Sequence, residues 1–433
     1  ALRAGPKQPL RPFAMLGLPI AVSSAEQQRL IRAYATREIQ RAGIASIQPY
    51  QHHARPDPCQ RLRVGYLSSD FRAHATSHLI QGLFARHNRG QVEAICYSTG
   101  VDDGSSYRQR IMRDSDAFHD LHGFGWRTVA ERIHDDNIDI LVDLNGFTTG
   151  DRFPALSLRP APIQVSYLGF PGTLGSDCVD YLIADASVIP PGEERYYDEQ
   201  IVRMPHSYQV NDRDRPIAET PSRQDCGLPE EATVFCCFCN TYKLEPMIFA
   251  AWMRILRQIP GSVLWLLGKN ATAESNLRAA ATAHEVDPER LVFAPLLPQP
   301  EHLARHRLAD LALDTHYYNG HTTTSDALWA GLPVISLPGR TFASRVSLGL
   351  LRAVGLEELA VDDLPAYEAL AVRLANDATA LADLKARLTA QRLDCPLFDT
   401  EGFTRDLERA YRTMWERYCR GEAPVGFDLA NQT

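Results

Sequence analysis

The stretch Leu308-Ala-Asp-Leu-Ala-Leu-Asp314-Thr-His-Tyr-Tyr-Asn319-Gly-His-Thr-Thr-Thr324-Ser-Asp-Ala-Leu-Trp-Ala330 places an apolar run before a polar turn and a hydroxyl-rich run. Its first six residues have the composition of a buried strand, and residues 324–330 have that of a helix. A strand followed at once by a turn and a helix is the unit from which parallel α/β sheets are built. The stretch therefore predicts an α/β fold.

The turn between the two runs contains Asn319, Gly320, His321, Thr322 and Thr323. The first N–H groups of a helix lack internal partners and lie at the positive end of its dipole, so they favour an anion. Gly320 permits a sharp turn or a close approach to a ligand. The polar side chains add donors, and one turn further Asp326 could accept from sugar hydroxyls. An ordinary N-cap is the alternative interpretation.

Length and charge restrict the possible classes of protein. The chain has 433 residues, enough for two or three domains, and its 45% hydrophobic and 23% charged content is typical of a globular protein. A net charge of −8 gives no overall attraction to nucleic acid or anionic membranes. There is no apolar run of the roughly 20 residues that span a bilayer. Nine cysteines, an odd number, favour free thiols in a reducing cytoplasm.

Strand and helix patterns alternate twice along the chain. The first series begins at Arg61, with strands predicted near 92–97, 138–144, 163–168 and 181–183 and helices over 76–86 and 126–135. The second begins at Thr233 and continues through 263–267, 291–293, 311–313 and 334–337. The predicted division is a helical lead-in and linker (1–60), one Rossmann-like half (61–205), a proline-rich linker (206–230), a second Rossmann-like half (231–400), and a C-terminal helix and tail (401–433). We expect the two halves to face each other across a cleft.

Ligands of doubly wound sheets bind at the carboxyl ends of strands, and several polar residues occur there. In the second half, Lys243 follows the first strand, so an anion-binding role competes with that of a solvated lysine. His302 and Arg305 lie one helical turn apart before the Asn319 turn, where His302 could stack on a base. Cys236, Cys237 and Cys239 alternate along a strand, which favours small core residues over metal ligands.

In the first half, His74 and His78 have the i, i+4 spacing of a metal pair, but no acidic third ligand follows at helical spacing. His74 at the end of a strand suits an acid/base role better. Gly169, Pro171 and Gly172 form a glycine-rich loop whose backbone could approach a sugar ring. Neither a G-x-G-x-x-G nor a Walker A sequence is present.

An ordered set of motifs resembles the catalytic region of the O-linked N-acetylglucosamine transferases, bacterial branch. The motifs run from about Arg61 to Tyr418 and include Ser69-Asp-Phe, His74-x-Thr-Ser-His78, Leu158-Arg-Pro-Ala-Pro-Ile-Gln164, Leu168-Gly-x-Pro-Gly-Thr173, Tyr242-Lys243, Asn319-Gly-His-Thr-Thr323, Asp326, Leu328-Trp-Ala-Gly331 and Ala343-Ser-Arg-Val346. The resemblance implies a GT-B fold, UDP-N-acetylglucosamine as donor, protein Ser/Thr as acceptor, inversion, and neither metal nor cofactor. It also implies tetratricopeptide repeats before the catalytic region.

Roles follow from the resemblance. Lys243 and the helix start at Thr322 and Thr323 would stabilise the leaving diphosphate, and the second half would bind the nucleotide sugar. His74 is the candidate base or acceptor-orienting group, with His134 as a weaker candidate. The residues expected to bind the donor are Asn240, Tyr242, Lys243, Gln299, His302, Arg305, Asn319, Gly320, His321, Thr322, Thr323, Asp326, Gly169, Pro171 and Gly172. Asn240 and Gln299 depart from the Gln and Lys that are usual in the family.

Two alternatives remain open. Protein O-fucosyltransferases that use GDP-fucose share the fold and similar motifs, so the nucleotide base would separate them from this chain. A sugar-nucleotide-binding scaffold without turnover is the second alternative. Neither nucleic acid nor a membrane is expected as a partner, and the expected location is cytoplasmic.

Overall fold

The computed structural model describes residues 10–18, 20–52, 58–59 and 61–431. Two compact units divide this part of the chain. The described residues within Ala1–Met15, Val22–Arg213 and Pro396–Thr433 form unit 1, and those within Leu16–Ala21 and Asp214–Cys395 form unit 2. No helix among these described residues is long and apolar enough to cross a bilayer.

Strands in the described residues form two parallel sheets. Their bounds are β1 Leu62–Ser68, β2 Val92–Ser98, β3 Ala117–Asp120, β4 Ile140–Asp143, β5 Ile163–Ser166, β6 Tyr181–Asp185, β7 Gln200–Met204, β8 Val234–Cys237, β9 Val263–Leu267, β10 Leu291–Ala294, β11 Leu311–Leu313, β12 Val334–Ile335 and β13 Phe427–Asp428. Unit 1 has the order β13-β7-β6-β5-β4-β1-β2-β3, and unit 2 has β10-β9-β8-β11-β12. Central strands such as β4 and β9 are buried along their whole length, because helices cover both faces of a parallel sheet.

Helices connect the parallel strands. Their bounds are α1 Pro12–Leu16, α2 Ser24–Arg41, α3 Ala75–Phe84, α4 Ser106–Asp114, α5 Trp126–Asp135, α6 Phe153–Leu156, α7 Pro246–Gln258, α8 Ala271–Ala283, α9 Gln299–Arg305, α10 Thr322–Trp329, α11 Val346–Ala353, α12 Leu364–Asn376, α13 Ala378–Gln391 and α14 Thr400–Cys419. Several begin at side-chain caps that the sequence shows directly. Ser23 and Glu26 form a capping box at α2, and Asp363 caps α12 through the backbone N–H of Ala366.

The α/β class is confirmed, and the missed strands have a common physical cause. All predicted strands exist, and α5 has the predicted bounds. The sequence patterns missed β3, β7 and β13. The first is a four-residue edge strand that is half-exposed, the second includes Gln200 and Arg203, and the third has only two residues. Short or polar strands lack the apolar run on which sequence patterns depend.

The segment 206–230, predicted as a linker, contains the boundary between the two units, which falls between Arg213 and Asp214. Its first part is buried in unit 1, where Asp212 Oδ2 accepts a hydrogen bond from Arg110 Nη1 at 2.7 Å. Its second part packs in unit 2, where Arg215 is buried and Ala218 N donates to Pro300 O at 3.1 Å. Buried polar groups need such partners, and the partners lie far away in sequence.

The C-terminal segment completes unit 1. Tyr411 of α14 lies 3.3 Å from Tyr66 of β1 between hydroxyl oxygens, and Glu408 accepts from His87 Nδ1 at 2.8 Å. After α14, Phe427 pairs with Val202 and adds β13 to the sheet. The tail is therefore part of the sheet of unit 1.

Candidate functional site

Lys243 and Asp314 lie at the same edge of the sheet of unit 2. Lys243 ends a short helical turn after β8, and Asp314 directly follows β11. These strands are neighbours in parallel, with Phe235 paired to Leu311. Because carboxyl ends of parallel strands share one edge, the two charged residues reach the same turn.

That turn is formed by Asn319 and Gly320. Lys243 Nζ donates to Asn319 O at 2.7 Å, and Asp314 Oδ1 accepts from Gly320 N at 2.6 Å. A Cβ on Gly320 would lie 2.8 Å from Thr323 Oγ1 and closer still to Thr324. Glycine is therefore required by the close approach of the following helix.

Helix α10 begins at Thr322, and no side chain caps its first turn. Thr322 and Thr323 are half-buried at this end, whereas the helix is buried from Thr324 onward. Its open N–H groups and the Lys243 ammonium form the arrangement that binds phosphate at helix N-termini. The structure therefore brings together Lys243, Asn319, Gly320, Thr322 and Thr323, as the sequence predicts.

His321 precedes the helix and faces the backbone. Its Nε2 lies 3.2 Å from Ala343 O, a contact in which the ring nitrogen donates. Burial first, and then the Lys243 ammonium, hold the pKa of His321 well below its usual range. The ring is therefore neutral and serves as a hydrogen-bonding group.

Lys243 is surrounded by groups of different charge. Its Nζ lies 3.7 Å from the centroid of the Tyr318 ring. Burial lowers the pKa of Lys243, whereas Cys239 and Asp314 oppose that shift. Cys239 Sγ lies 3.3 Å from Thr323 Oγ1, so this residue, predicted as core, borders the helix start. A hydrogen bond from the Cys237 thiol is the main cause that lowers the pKa of Cys239 to about 6.

The predicted base-binding residues lie together on α9. Gln299 begins the helix and is buried, and His302 is half-buried one turn later. Arg305 Nη2 lies 2.5 Å from His302 Nδ1, and the guanidinium covers the Phe238 ring at 4.4 Å. Arg305 is 2% exposed, so it positions His302, and His302 is the member of the pair that a ligand can reach.

Asp326 is placed differently from the prediction that it holds a ribose. It lies on the buried face of α10, is 4% exposed, and its Oδ1 accepts from Arg215 Nη1 at 2.8 Å. Arg215 also lies over the Trp329 ring at 5.1 Å. Burial raises the pKa of Asp326 to about 6, although Arg215 opposes the shift. Such a pairing is typical of a structural ion pair.

Asn240 and Tyr242 border the same edge of unit 2. Asn240 is half-buried directly before the helical turn that ends at Lys243, and Tyr242 within that turn is 46% exposed. The rings of Tyr242 and Tyr318 lie 6.1 Å apart between centroids. Both residues are thus placed beside Lys243.

In unit 1, His74 caps α3 and is half-buried. Its Nδ1 accepts a hydrogen bond from Thr76 N at 3.3 Å and lies 3.6 Å from Asp70 Oδ2. Burial lowers the pKa of His74, and Asp70 opposes that shift. A neutral ring whose Nδ1 accepts carries its proton on Nε2, so its other nitrogen is a donor.

A buried polar network that the sequence patterns did not predict lies beside His74. Asn145, two residues after β4, donates from Nδ2 to Ser69 Oγ at 2.9 Å and to Asp70 Oδ2 at 3.0 Å. Ser69 N donates back to Asn145 Oδ1 at 2.7 Å. Their positions in the sequence could have indicated this network, because Ser69, Asp70 and Asn145 all follow the carboxyl ends of neighbouring strands.

The loop at Gly169 belongs to unit 1 and packs inward. A Cβ on Gly169 would overlap Leu144 O, and Pro171 and Gly172 are buried. Thr173 Oγ1 donates to Glu199 Oε2 at 2.7 Å. The loop therefore allows close packing of backbone, and the role of Gly169, Pro171 and Gly172 in binding the sugar stays a prediction.

The catalytic prediction for His134 is also corrected. His134 lies in the last turn of α5 and stacks on Tyr50 with centroids 4.0 Å apart. Because α5 leads into the start of β4, this ring is at the amino edge of the sheet. His74 follows the end of β1, which runs parallel to β4, so the two histidines lie at opposite edges.

No group of three or more His, Cys, Asp or Glu side chains that could hold a metal ion occurs within the described ranges. His78, the partner of His74 in the rejected metal pair, instead has its ring 4.5 Å from that of Tyr107.

Comparisons with known proteins give a consistent relationship. A sequence model of glycosyl transferase family 41 matches residues 15–220 and 213–407. The probable UDP-N-acetylglucosamine–peptide N-acetylglucosaminyltransferase SEC of Arabidopsis thaliana is 40% identical over 97% of this chain and 44% of that protein. The Caenorhabditis elegans UDP-N-acetylglucosamine–peptide N-acetylglucosaminyltransferase is 32% identical over 84% of this chain and 41% of that protein. The chain thus spans less than half the length of these relatives.

A solved structure gives the same relationship at the level of the fold. A mutant form of the Thermobaculum terrenum O-GlcNAc transferase superposes with a TM-score of 0.85 at 31% identity. The superposition covers 93% of this chain and 76% of that one.

Proposed function

Because the chain belongs to glycosyl transferase family 41, we propose that it transfers N-acetylglucosamine from UDP-N-acetylglucosamine to Ser and Thr hydroxyls of proteins. The resemblance to the O-linked N-acetylglucosamine transferases supports this donor and this acceptor. We further propose that the reaction inverts the anomeric centre and proceeds without a metal or another cofactor. A cytoplasmic location is part of the same proposal.

The observation that carries the proposal is the position of Lys243 beside the open end of α10. Its ammonium is fixed by Asn319 O at 2.7 Å, and the helix start at Thr322 has no side-chain cap. In the reaction, the acceptor oxygen bonds to the anomeric carbon while the bond from that carbon to the β-phosphate oxygen breaks. Negative charge grows on the departing UDP, and preorganised donors that meet it lower the barrier.

A cation is the alternative means of stabilising that charge. In this chain the ammonium and the helix N–H groups would stabilise the β-phosphate from protein groups alone. Such donors are already oriented, so the reaction requires little reorganisation around the leaving group. This is the physical basis for proposing metal-independent transfer.

On the acceptor side, the structure favours an orienting role for His74. The acceptor hydroxyl must lose its proton to a base as the new bond forms. His74 Nδ1 accepts from Thr76 N at 3.3 Å, which leaves Nε2 protonated in the neutral ring. A donor can position the acceptor oxygen but cannot take its proton, so we propose that another base receives it.

The test is transfer to a peptide mixture, followed by mass spectrometry of the products. The purified chain is incubated with UDP-N-acetylglucosamine or with GDP-fucose, and Lys243→Met is included as the impaired variant. We expect N-acetylhexosamine on Ser or Thr only with the UDP donor. Fucose on the peptides would indicate the fucosyltransferase alternative, and donor binding without any transfer would indicate a scaffold.

A further inference from the structure

The carboxyl group of Asp314 accepts hydrogen bonds from three parts of unit 2. Its Oδ1 accepts from Gly320 N at 2.6 Å and Thr315 N at 2.9 Å. Its Oδ2 accepts from Ser336 Oγ at 2.8 Å. The side chain is 3% exposed, so it reaches no ligand directly. Three donors on one buried carboxyl favour its charged form and tie together the segment after β11, the turn and the residue after β12.

Asp314 and Lys243 hold the same two-residue turn from opposite sides. Lys243 Nζ donates to the carbonyl of Asn319, and Asp314 Oδ1 accepts from the N–H of Gly320. Gly320 O in turn accepts from Ser347 Oγ at 3.0 Å. A change at Asp314 therefore alters both the path of the turn and the charge beside the ammonium.

We infer that Asp314 is a positioning residue for the donor, whose carboxylate fixes the Asn319–Gly320 turn to which Lys243 also donates. This inference rests on the proposed function and assigns a role to a residue that the described mechanism does not use. Asp314 acts through Lys243 and does not touch the substrate.

The charged and titratable groups around Asp314 support this role. Cys237 and Cys239 face it from the end of β8, and Lys243 faces it from the following turn. Tyr367 faces it from α12, and the Tyr367 hydroxyl donates to the backbone carbonyl of Asp314 at 3.0 Å. Burial lowers the pKa of Lys243, and Asp314 is among the groups that raise it again. Burial raises the pKa of Asp314 itself to about 7, against the effect of its hydrogen bonds.

The direction of the pH dependence follows from these shifts. As the pH falls through about 7, Asp314 becomes protonated and its negative charge beside Lys243 is lost. As the pH rises, Lys243 loses its own proton at a value that burial has lowered. We therefore expect kcat/KM for UDP-N-acetylglucosamine to have an acid limb governed by Asp314 and an alkaline limb governed by Lys243.

The test is the pH profile of kcat/KM for the donor in the unmodified protein and in Asp314→Asn. The amide keeps the shape of the side chain but not its charge. We expect roughly a tenfold loss of kcat/KM at neutral pH, disappearance of the acid limb, and an alkaline limb at lower pH. A loss of activity with both limbs unmoved would overturn the inference, because a purely structural defect does not shift them.

Cys239→Ala distinguishes the titration of Asp314 from that of Cys239, the other acidic group near Lys243. The pKa of Cys239 is lowered to about 6, chiefly by the hydrogen bond from Cys237, so its titration could also produce an acid limb. We expect Cys239→Ala to retain the acid limb and Asp314→Asn to lose it. The opposite pattern would assign the limb to the thiol and overturn the inference.

Ser336→Ala tests the inference if Asp314→Asn does not fold. Removing the hydroxyl that donates to Oδ2 disfavours the carboxylate, so the acid limb should move to higher pH. Ser262→Ala, which removes a buried hydroxyl bonded to Ile259 O, is the matched control and should leave the limb in place. An unmoved limb in Ser336→Ala would contradict the inference. Absence of turnover in the unmodified protein would reject the proposed function and this inference with it.

Discussion

His74 could act on the acceptor hydroxyl either as a hydrogen-bond donor that orients it or as a base, and substitutions separate these two roles. If its Nε2 donates to the acceptor oxygen, as the contact of Nδ1 with Thr76 N favours, an amide can replace part of its role. We expect His74→Asn to retain at least about tenfold more activity than His74→Ala, since Asn can both cap α3 and donate. Initial rates at saturating donor measure the difference. Equal losses in both variants would instead support a base.

Gln299 is a residue that we predict to influence how strongly the nucleotide base is selected. The resemblance to the O-linked N-acetylglucosamine transferases implies a lysine at this position, and Gln299 lies at the buried start of α9 near His302. We expect UDP to bind better than GDP by about 1–3 kcal/mol, the scale of one or two polar contacts. Gln299→Lys should widen that gap because it adds a charged donor toward a carbonyl-rich base.

Calorimetry with both nucleotides on both proteins measures the gap. Tighter binding of GDP than UDP by the unmodified protein would favour the fucosyltransferase alternative and remove His302 from the uracil role.

At the same scale, the sequence predicts the positions of charged residues better than it predicts their partners. Lys243 lies where the strand-end rule predicts. Asp326 matched a family motif but is buried against Arg215. Its partner is 111 residues away in sequence, so the sequence pattern could not show that pairing. Asp314 directly follows the apolar run 308–313, yet its hydrogen bonds to Gly320 and Ser336 exist only in the folded turn.

At the scale of elements, little space is left for an added side chain where the Asn319–Gly320 turn meets the start of α10 in unit 2. Gly320→Ala would place a methyl group 2.8 Å from Thr323 Oγ1 and closer to Thr324. We expect it to lower the free energy of unfolding by about 1–3 kcal/mol and to weaken UDP binding, because the start of the helix must shift. Thermal unfolding and UDP calorimetry measure the two effects.

Gly125→Ala is the matched control for that change. Gly125 has φ −70 and nothing within 4 Å of the added carbon, so its substitution creates no clash; as the N-cap of α5 it should cost less than about 1 kcal/mol and leave UDP affinity unchanged. Unchanged stability and UDP affinity in Gly320→Ala would contradict the account of the turn.

Elements were predictable where an apolar run was long. The predicted strands of both units exist, whereas α10 begins at Thr322, two residues before the predicted start. The threonines of its first turn resemble a loop in composition, and the turn before them is held by the Asp314–Gly320 hydrogen bond. Local composition cannot show such contacts.

At the scale of the whole molecule, the residues with proposed roles in the reaction belong to two units. The groups for the leaving diphosphate belong to unit 2, and His74 with its Asn145 network belongs to unit 1. The segment 206–230 and the C-terminal strand could not be placed from sequence. Their positions depend on distant partners, such as Arg110 for Asp212 and Val202 for Phe427.

The central claim is that protein groups, chiefly Lys243, stabilise the leaving UDP. The most direct measurement is kcat for peptide glycosylation at saturating UDP-N-acetylglucosamine in EDTA, for the unmodified protein, Lys243→Met and Lys385→Met. Lys385, whose Nζ donates to Ala309 O before β11, lies at the opposite edge of the sheet and controls for the loss of one charge.

We predict that the unmodified protein and Lys385→Met remain active in EDTA, while Lys243→Met loses kcat by about 10²-fold or more with little change in donor affinity. A Lys243→Met rate near that of the unmodified protein would contradict the claim. Activity that disappears in EDTA and returns with Mn²⁺ or Mg²⁺ would contradict it equally.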